Sequence, residues 1–175
     1  GPDGRPMSLF ESGAMLIYLA DKCARFVPDA SAAPRERSVV LQWLMFQMGH
    51  IGPMLGQTHH FRIYAPEKVP YAIDRYTKEA GRLYRVLDKR LAESAWLGGP
   101  DYGIADIATF PWVRSQAMQG VTLAEYPAVG RWIEAIEARP AVKRGLAVLA
   151  ERAKPGPLDA AAREALYGKT QYERR

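Results

Sequence analysis

The sequence predicts a mainly α-helical protein that opens with a fragment of an α/β unit, and three stretches carry that prediction. Residues Tyr102 to Val113 (YGIADIATFPWV) are apolar on every side except at Asp106, and a helix without a polar face has to be surrounded by other helices. Residues Tyr71 to Glu93 place Ile73, Tyr76, Ala80, Leu83 and Leu87 on one seam with heptad-like spacing, the pattern of a helix packed in a bundle. Met7 to Phe10 (MSLF) alternates like a short strand, and Glu11, Ser12 and Gly13 then lead into an apolar helical run from Ala14 to Lys22.

Taken in order, the chain divides into the close of an α/β unit (1–27), a linker, PDASAAP (28–34), an all-helical domain (35–154) and a C-terminal extension (155–175). A lone strand is not stable in water, so the partners of MSLF are expected from residues before the GPDGRP turn or from another chain. Pro34 suits the first turn of a helix that carries Val40, Leu41, Trp43, Leu44 and Met48. Its continuation has Gly49, Gly52 and Gly56 on one face and Pro53 beside Gly52, which predicts a bend or the close approach of another backbone, as close helix packing or a ligand groove would require. Tyr64 to Pro70 reads as a loop, and Trp96 to Asp101 as a turn into the central helix. There Gly103 is the N-cap, Asp106 the acid of a capping box, and Tyr102 a hydrophobic staple onto Ile107; Pro111 predicts a kink. Pro127 starts a helix with Val129, Trp132, Ile133 and Ile136, and Pro140 starts another through Leu146 and Leu149. Pro155-Gly156-Pro157 closes the packed domain. A short helical piece around Leu158 to Leu166 and a charged tail ending Arg174-Arg175 follow.

The 175 residues are 48% hydrophobic and 25% charged, the make-up of a globular soluble protein. The longest apolar run, Ala14 to Ala20, is far below the roughly 20 residues of a membrane span, and no signal peptide opens the sequence. A single cysteine, Cys23, precludes an internal disulfide and fits a reducing compartment, so a cytoplasmic location is expected. The net charge of +5 is dispersed, without the basic block and interleaved aromatics of a nucleic-acid binder.

Few side chains offer chemistry. His50, His59 and His60 form no HxxxH pair and have no second cysteine to join them, which argues against a metal site. Cys23 ends an apolar helix, where a packed, inert thiol is the commoner case. Glu11 and Ser12 are the better candidates. Ser12 as an N-cap leaves helix N–H groups for a carboxylate, and Glu11 beside it takes an ammonium, so the pair suits an α-amino acid head group as well as simple capping. Along the long helix, Arg75, Lys78, Arg82, Arg85 and Lys89 form a basic stripe, partly offset by Asp74 with Lys78 and Arg75 with Glu79. Its plain reading is a solvated face.

At these residues a resemblance emerges. FESGAMLIYLADK resembles the end of the thioredoxin-like half of a glutathione transferase, and YGIADIATFPW and YPAVGRWIEAIEARPAV resemble successive helices of that family's helical half. QWLMFQMGHIGPMLGQTHHF, APEKVPYAIDRY and WLGGPDYGIADIATFPWV are similar more narrowly to the nu-class, Ure2p-like transferases. The resemblance implies glutathione, reduced or as its disulfide, held by Glu11 and Ser12 at the γ-glutamyl group and by Arg75 at a carboxylate. It implies a cytoplasmic homodimer that reduces small disulfides, or acts on electrophiles, with the glutathione sulfur as nucleophile. The family residues that hold that sulfur lie in its first βαβ segment, which is outside these residues, so no catalytic residue is assigned. Gly103 departs from the family's usual Ser or Thr. A non-catalytic association module of the same fold is the alternative.

Overall fold

The computed structural model describes residues 1, 3–148, 150 and 159–169, and among them the structure is helical, with no strand. Met7–Phe10 is irregular, which corrects the expected strand: a strand exists through its ladder, and none lies beside it among the described residues. Leu149, Pro155-Gly156-Pro157, Leu158 and the Arg174-Arg175 tail lie outside the described residues.

The elements are α1 (Ser12–Cys23), α2 (Pro34–Phe46), α3 (Gly52–His59), α4 (Pro70–Glu93), α5 (Ile104–Val113), α6 (Gln116–Gln119), α7 (Pro127–Glu137), α8 (Pro140–Ala147) and α9 (Ala160–Tyr167). Proline opens α2, α4, α7 and α8, where its missing N–H is one that a helix start leaves unpaired in any case. The short α6 and a 3₁₀ turn at Leu123–Glu125 had no periodic pattern to announce them. α2 and α3 are one continuous helical path, 34–64, interrupted by π-helical turns at Gln47–Ile51 and His60–Tyr64. The first falls at the Gly49–Pro53 stretch where a bend was expected, and takes the form of a change in hydrogen-bond register within a continuous helix. Pro53 has no N–H for the Gly49 carbonyl, and the turn just before it widens so that the Gly52 N–H reaches the Gln47 carbonyl, five residues back.

α5 is surrounded as its sequence requires, by α1, α2, α3 and α7. The core joins Val40 and Leu44 of α2, Leu55 of α3, Leu83, Tyr84, Leu87 and Leu91 of α4, Ile104 and Phe110 of α5, and Val129, Trp132 and Ile136 of α7. Pro111 lies inside α5 without ending it. Asp106, fully buried, is the polar centre of this core. Its Oδ1 accepts the Leu97 N–H at 3.0 Å and the Trp132 Nε1–H at 2.8 Å, while its Oδ2 accepts the Gly103 N–H at 3.0 Å. Burial pushes its carboxyl above the usual carboxylate range, and the three N–H donors draw it part of the way back. Gly103 has no side chain to complete the capping box, so only the Asp106 half exists. The Tyr102 ring meets Phe26 and Trp96 edge-on and lies under the Arg139 guanidinium.

The segment between α1 and α2 is docked rather than free. The Phe26 carbonyl accepts the Ile104 N–H at 2.9 Å, and a Cβ on Gly103 would lie 2.9 Å from that same oxygen. Glycine here therefore gives the docked segment its closeness to the start of α5. Arg37 of α2 clamps the end of α1 through both oxygens of Asp21, at 2.8 and 3.0 Å, and reaches the Pro28 carbonyl at 3.0 Å. From α4, Asp88 Oδ1 accepts the N–H groups of Ala128 and Val129 and so caps α7.

Candidate functional site

The start of α1 is where the sequence concentrates its candidate chemistry, and the structure gives Glu11 and Ser12 different places from those expected. Glu11 is the N-cap and Ser12 the first helical residue; no side chain caps the helix. This corrects Ser12 as N-cap: a hydroxyl already inside the helix is poorly placed to turn back onto the first-turn N–H groups. Those groups have no intrahelical carbonyl to meet. Among the described residues the Ser12 Oγ donates to the Met48 Sδ, a weak acceptor, at 3.8 Å. Glu11 is held at φ 65° and ψ 112°, a backbone conformation that non-glycine residues rarely adopt and that recurs at ligand clamps.

Ser12 opens on a hollow of about 350 Å³ whose other walls are Met15, Leu16, Gln47, Ile107, Ala108, Pro111 and Trp112. Trp112 is seated by glycines. A Cβ on Gly52 would lie 3.5 Å from its indole and one on Gly56 3.6 Å, whereas Gly49 faces open space. What approaches this glycine face is the side chain of Trp112 from α5 rather than the backbone expected, and Gly49 takes no part. Behind Trp112 runs a buried polar chain. The Tyr84 hydroxyl lies 2.8 Å from both the Val113 carbonyl and the Gln119 Oε1. The Gln119 amide nitrogen donates to the Trp112 carbonyl at 2.7 Å and lies 3.1 Å from the His59 Nε2.

His59 is held neutral by this arrangement. Burial depresses its pKa, with an opposing hydrogen bond to the Ser115 backbone, so Nε2 is left to accept from Gln119. On acidification the unfolded chain takes up a proton at about pH 6.5 before the folded chain does. The stability that His59 contributes is therefore complete above that pH and is lost as pH falls toward the lower folded value. Urea midpoints measured from pH 7.5 to 5 should fall, and His59→Gln should flatten that slope.

Arg75 stands apart from this hollow. It lines a second one, of about 410 Å³, with Tyr71, Asp74, Lys78, Glu79, Arg82 and Arg85, and the two hollows share no residue. Lys78 pairs with Asp74 at 2.7 Å as expected, but Glu79 pairs with Arg82, at 2.7 and 2.8 Å, rather than with Arg75. Arg82 lies one helical turn beyond Glu79 and meets both carboxylate oxygens. Arg75 is exposed and makes no ion pair among the described residues.

The three histidines have separate surroundings: His50 stacks on Phe46, His59 faces Trp112, and His60 meets Phe61 and Tyr167. Cys23 is exposed, which corrects the packed thiol expected at the end of α1; the chain reverses at Ala24, with φ 49°, before any element covers it. Met15 and Leu19 of α1 are exposed as well. No helix among the described residues is long and apolar enough to cross a membrane. Gln47 and Trp112 were not singled out by sequence reasoning. Trp112 read as core, and the sole signal for its seat was the Gly52/Gly56 spacing.

Comparison with known proteins bears on these features. Residues 51–140 match the family model described as glutathione S-transferase, C-terminal domain. Over 143 residues the chain is 55% identical to the disulfide-bond oxidoreductase YfcG of Escherichia coli strain K12, covering 82% of this chain and 65% of the relative. Among solved structures, a Pseudomonas fluorescens glutathione transferase family member with two glutathiones bound is 46% identical, with a TM-score of 0.75 over 83% of this chain and 66% of that one. A Pseudomonas putida glutathione transferase with one glutathione disulfide per subunit is 41% identical, with a TM-score of 0.76 over 89% and 66%. The chain spans between half and two thirds of the length of the first curated relatives it matches.

Proposed function

Because the chain belongs to the glutathione S-transferase family, we propose that it serves a glutathione-dependent disulfide-bond reductase that works by thiol–disulfide exchange. The observation that carries this reading is the start of α1, where Glu11 in a strained conformation and Ser12 adjoin a largely apolar hollow. The 55% identity to a disulfide-bond oxidoreductase supports it. So do the glutathione and glutathione disulfide held by structures more than 40% identical to this chain.

The residues present fit a glutathione γ-glutamyl group. A carboxylate at the open end of α1 meets first-turn N–H groups that no side chain caps, and the Ser12 Oγ is free to turn from Met48 toward it. Glu11 lies one residue away and offers the charge an ammonium requires. When bound, glutathione supplies the thiol that exchanges with a disulfide substrate; the chain supplies grip, orientation and an apolar wall that keeps water from the sulfur's surroundings. Arg75 is assigned to a carboxylate of the ligand, as a guanidinium not engaged by its neighbour Glu79. Since its hollow is separate from that of Ser12, the reading places it across a homodimer, facing its partner's site. A cytoplasmic location belongs to the same reading.

Calorimetric titration of the intact protein with glutathione disulfide tests this. Arg75→Ala is expected to weaken binding by about 2 kcal/mol, as for a charge-assisted hydrogen bond. An unchanged dissociation constant would return Arg75 to the solvated face of α4.

A further inference from the structure

Gln47 begins the first π-helical turn. It is 4% exposed, it contributes to the wall of the hollow beside Ser12, and its Oε1 is buried with no hydrogen-bond partner among the described residues. Its backbone is fixed, since its carbonyl accepts the Gly52 N–H that closes the π turn. Its amide end is given room by glycine: the Nε2 lies where a Cβ on Gly52 would come within 2.9 Å. Apart from Ser12, the rest of the wall is apolar. Buried amides in folded proteins are nearly always paired, and an unpaired one in a hollow is a group awaiting a partner.

We infer that Gln47 is a specificity-determining residue of this site. Its terminal amide pairs with the part of a disulfide substrate beyond the glutathione sulfur, and favours a second half that carries a peptide-like amide over a hydrocarbon one. The inference rests on the glutathione reading above. A peptide group brings a donor and an acceptor together, so it matches a primary amide whichever way the Gln47 end is turned about its last torsion. A hydrocarbon fills the same space against Met15, Ile107 and Trp112 but leaves the amide unmet. Sites built to hydrogen-bond a substrate reject the analogue that lacks the group more strongly than apolar walls reject an extra one. Substrates of this class are mixed disulfides whose second thiol belongs to a cysteinyl peptide.

Glutathione disulfide and S-hexylglutathione are the probes, because they share the first half and differ in the second, peptide in one and alkyl in the other. Titrations of the intact protein should show that Gln47→Leu weakens glutathione disulfide roughly tenfold while leaving S-hexylglutathione unchanged or tighter. Gln47→Met, unbranched and of similar length, should give the same divergence and serves if the leucine variant does not fold. Equal losses for both ligands would mean a merely structural glutamine, and no change for either would mean an idle one; each overturns the inference. Ser12→Ala separates the two claims, since it should weaken both ligands alike. If the parent protein binds neither ligand, the glutathione reading itself fails, and the role given to Gln47 fails with it.

Discussion

Asp106→Ala should destabilise the protein by about 4 kcal/mol, because it leaves three buried donors without their acceptor. The N–H groups of Leu97 and Gly103 and the indole N–H of Trp132 all end on this carboxylate, and the residue is fully buried. They come from three places, the turn after α4, the start of α5, and α7. Asp106→Asn keeps an acceptor for two of the donors but turns an NH₂ toward the third. It should cost roughly half as much. Urea denaturation followed by circular dichroism gives both values, and an alanine variant within about 1 kcal/mol of the parent would show that the donors find other partners. The pH dependence has a sign of its own. Burial raises the folded pKa, so the folded chain keeps its proton at a pH where the unfolded chain has lost it. On this group's account stability falls as pH rises from the ordinary carboxylate range through the folded value, and the slope should vanish in the Asn variant.

Trp132→Ala should be about as damaging, at about 4 kcal/mol, by a different mechanism. Its indole is 1% exposed and packs edge-on against Phe110, so truncation opens a cavity that the rigid α5 and α4 are slow to fill. It also removes one of the three donors on Asp106. The two losses therefore overlap, and the double variant should cost less than the sum of the singles by roughly 1–3 kcal/mol. Strict additivity would show that the indole–carboxylate bond contributes nothing beyond packing.

Much of this core was legible before any coordinates. The all-round apolar character of 104–113 required a surrounded helix, and α5 is one. Pro34, Pro127 and Pro140 marked the starts of α2, α7 and α8 because a helix start has no use for the N–H that proline lacks, and Pro70, read as the end of a loop, opens α4 in the same way. Of the seam expected on α4, Ala80, Leu83 and Leu87 are fully buried while Ile73 and Tyr76 are half-buried. Period alone marks the middle of a helix better than the end where its neighbours stop. MSLF could not be settled by alternation, since a strand is a property of its neighbours. Glu11 and Ser12 were legible as a pair, but the N-cap falls at Glu11, one residue before the Ser12 expected, because a positive φ at a glutamate is not written in residue preference. Gln47 was illegible for a related reason. A glutamine reads as surface by its type, although Gln47 lies three residues after Leu44 and seven after Val40, on the face that α2 buries.

The widening of the helix before Pro53 has a consequence for how the site changes over evolutionary time. A π turn holds one residue more than an α turn, so the path from 34 to 64 carries, at 47–51 and again at 60–64, what amounts to a one-codon insertion that the helix absorbed. Losing one residue from the first turn would rotate everything downstream by about 100°. Gly52 and Gly56 would swing away from Trp112, while Val40 and Leu44 upstream kept their places in the core. The same rotation would carry Leu55 of α3 out of the core, so the widened turn sets one register for both the glycine face and the bundle, and a change of one residue there would reshape the two together.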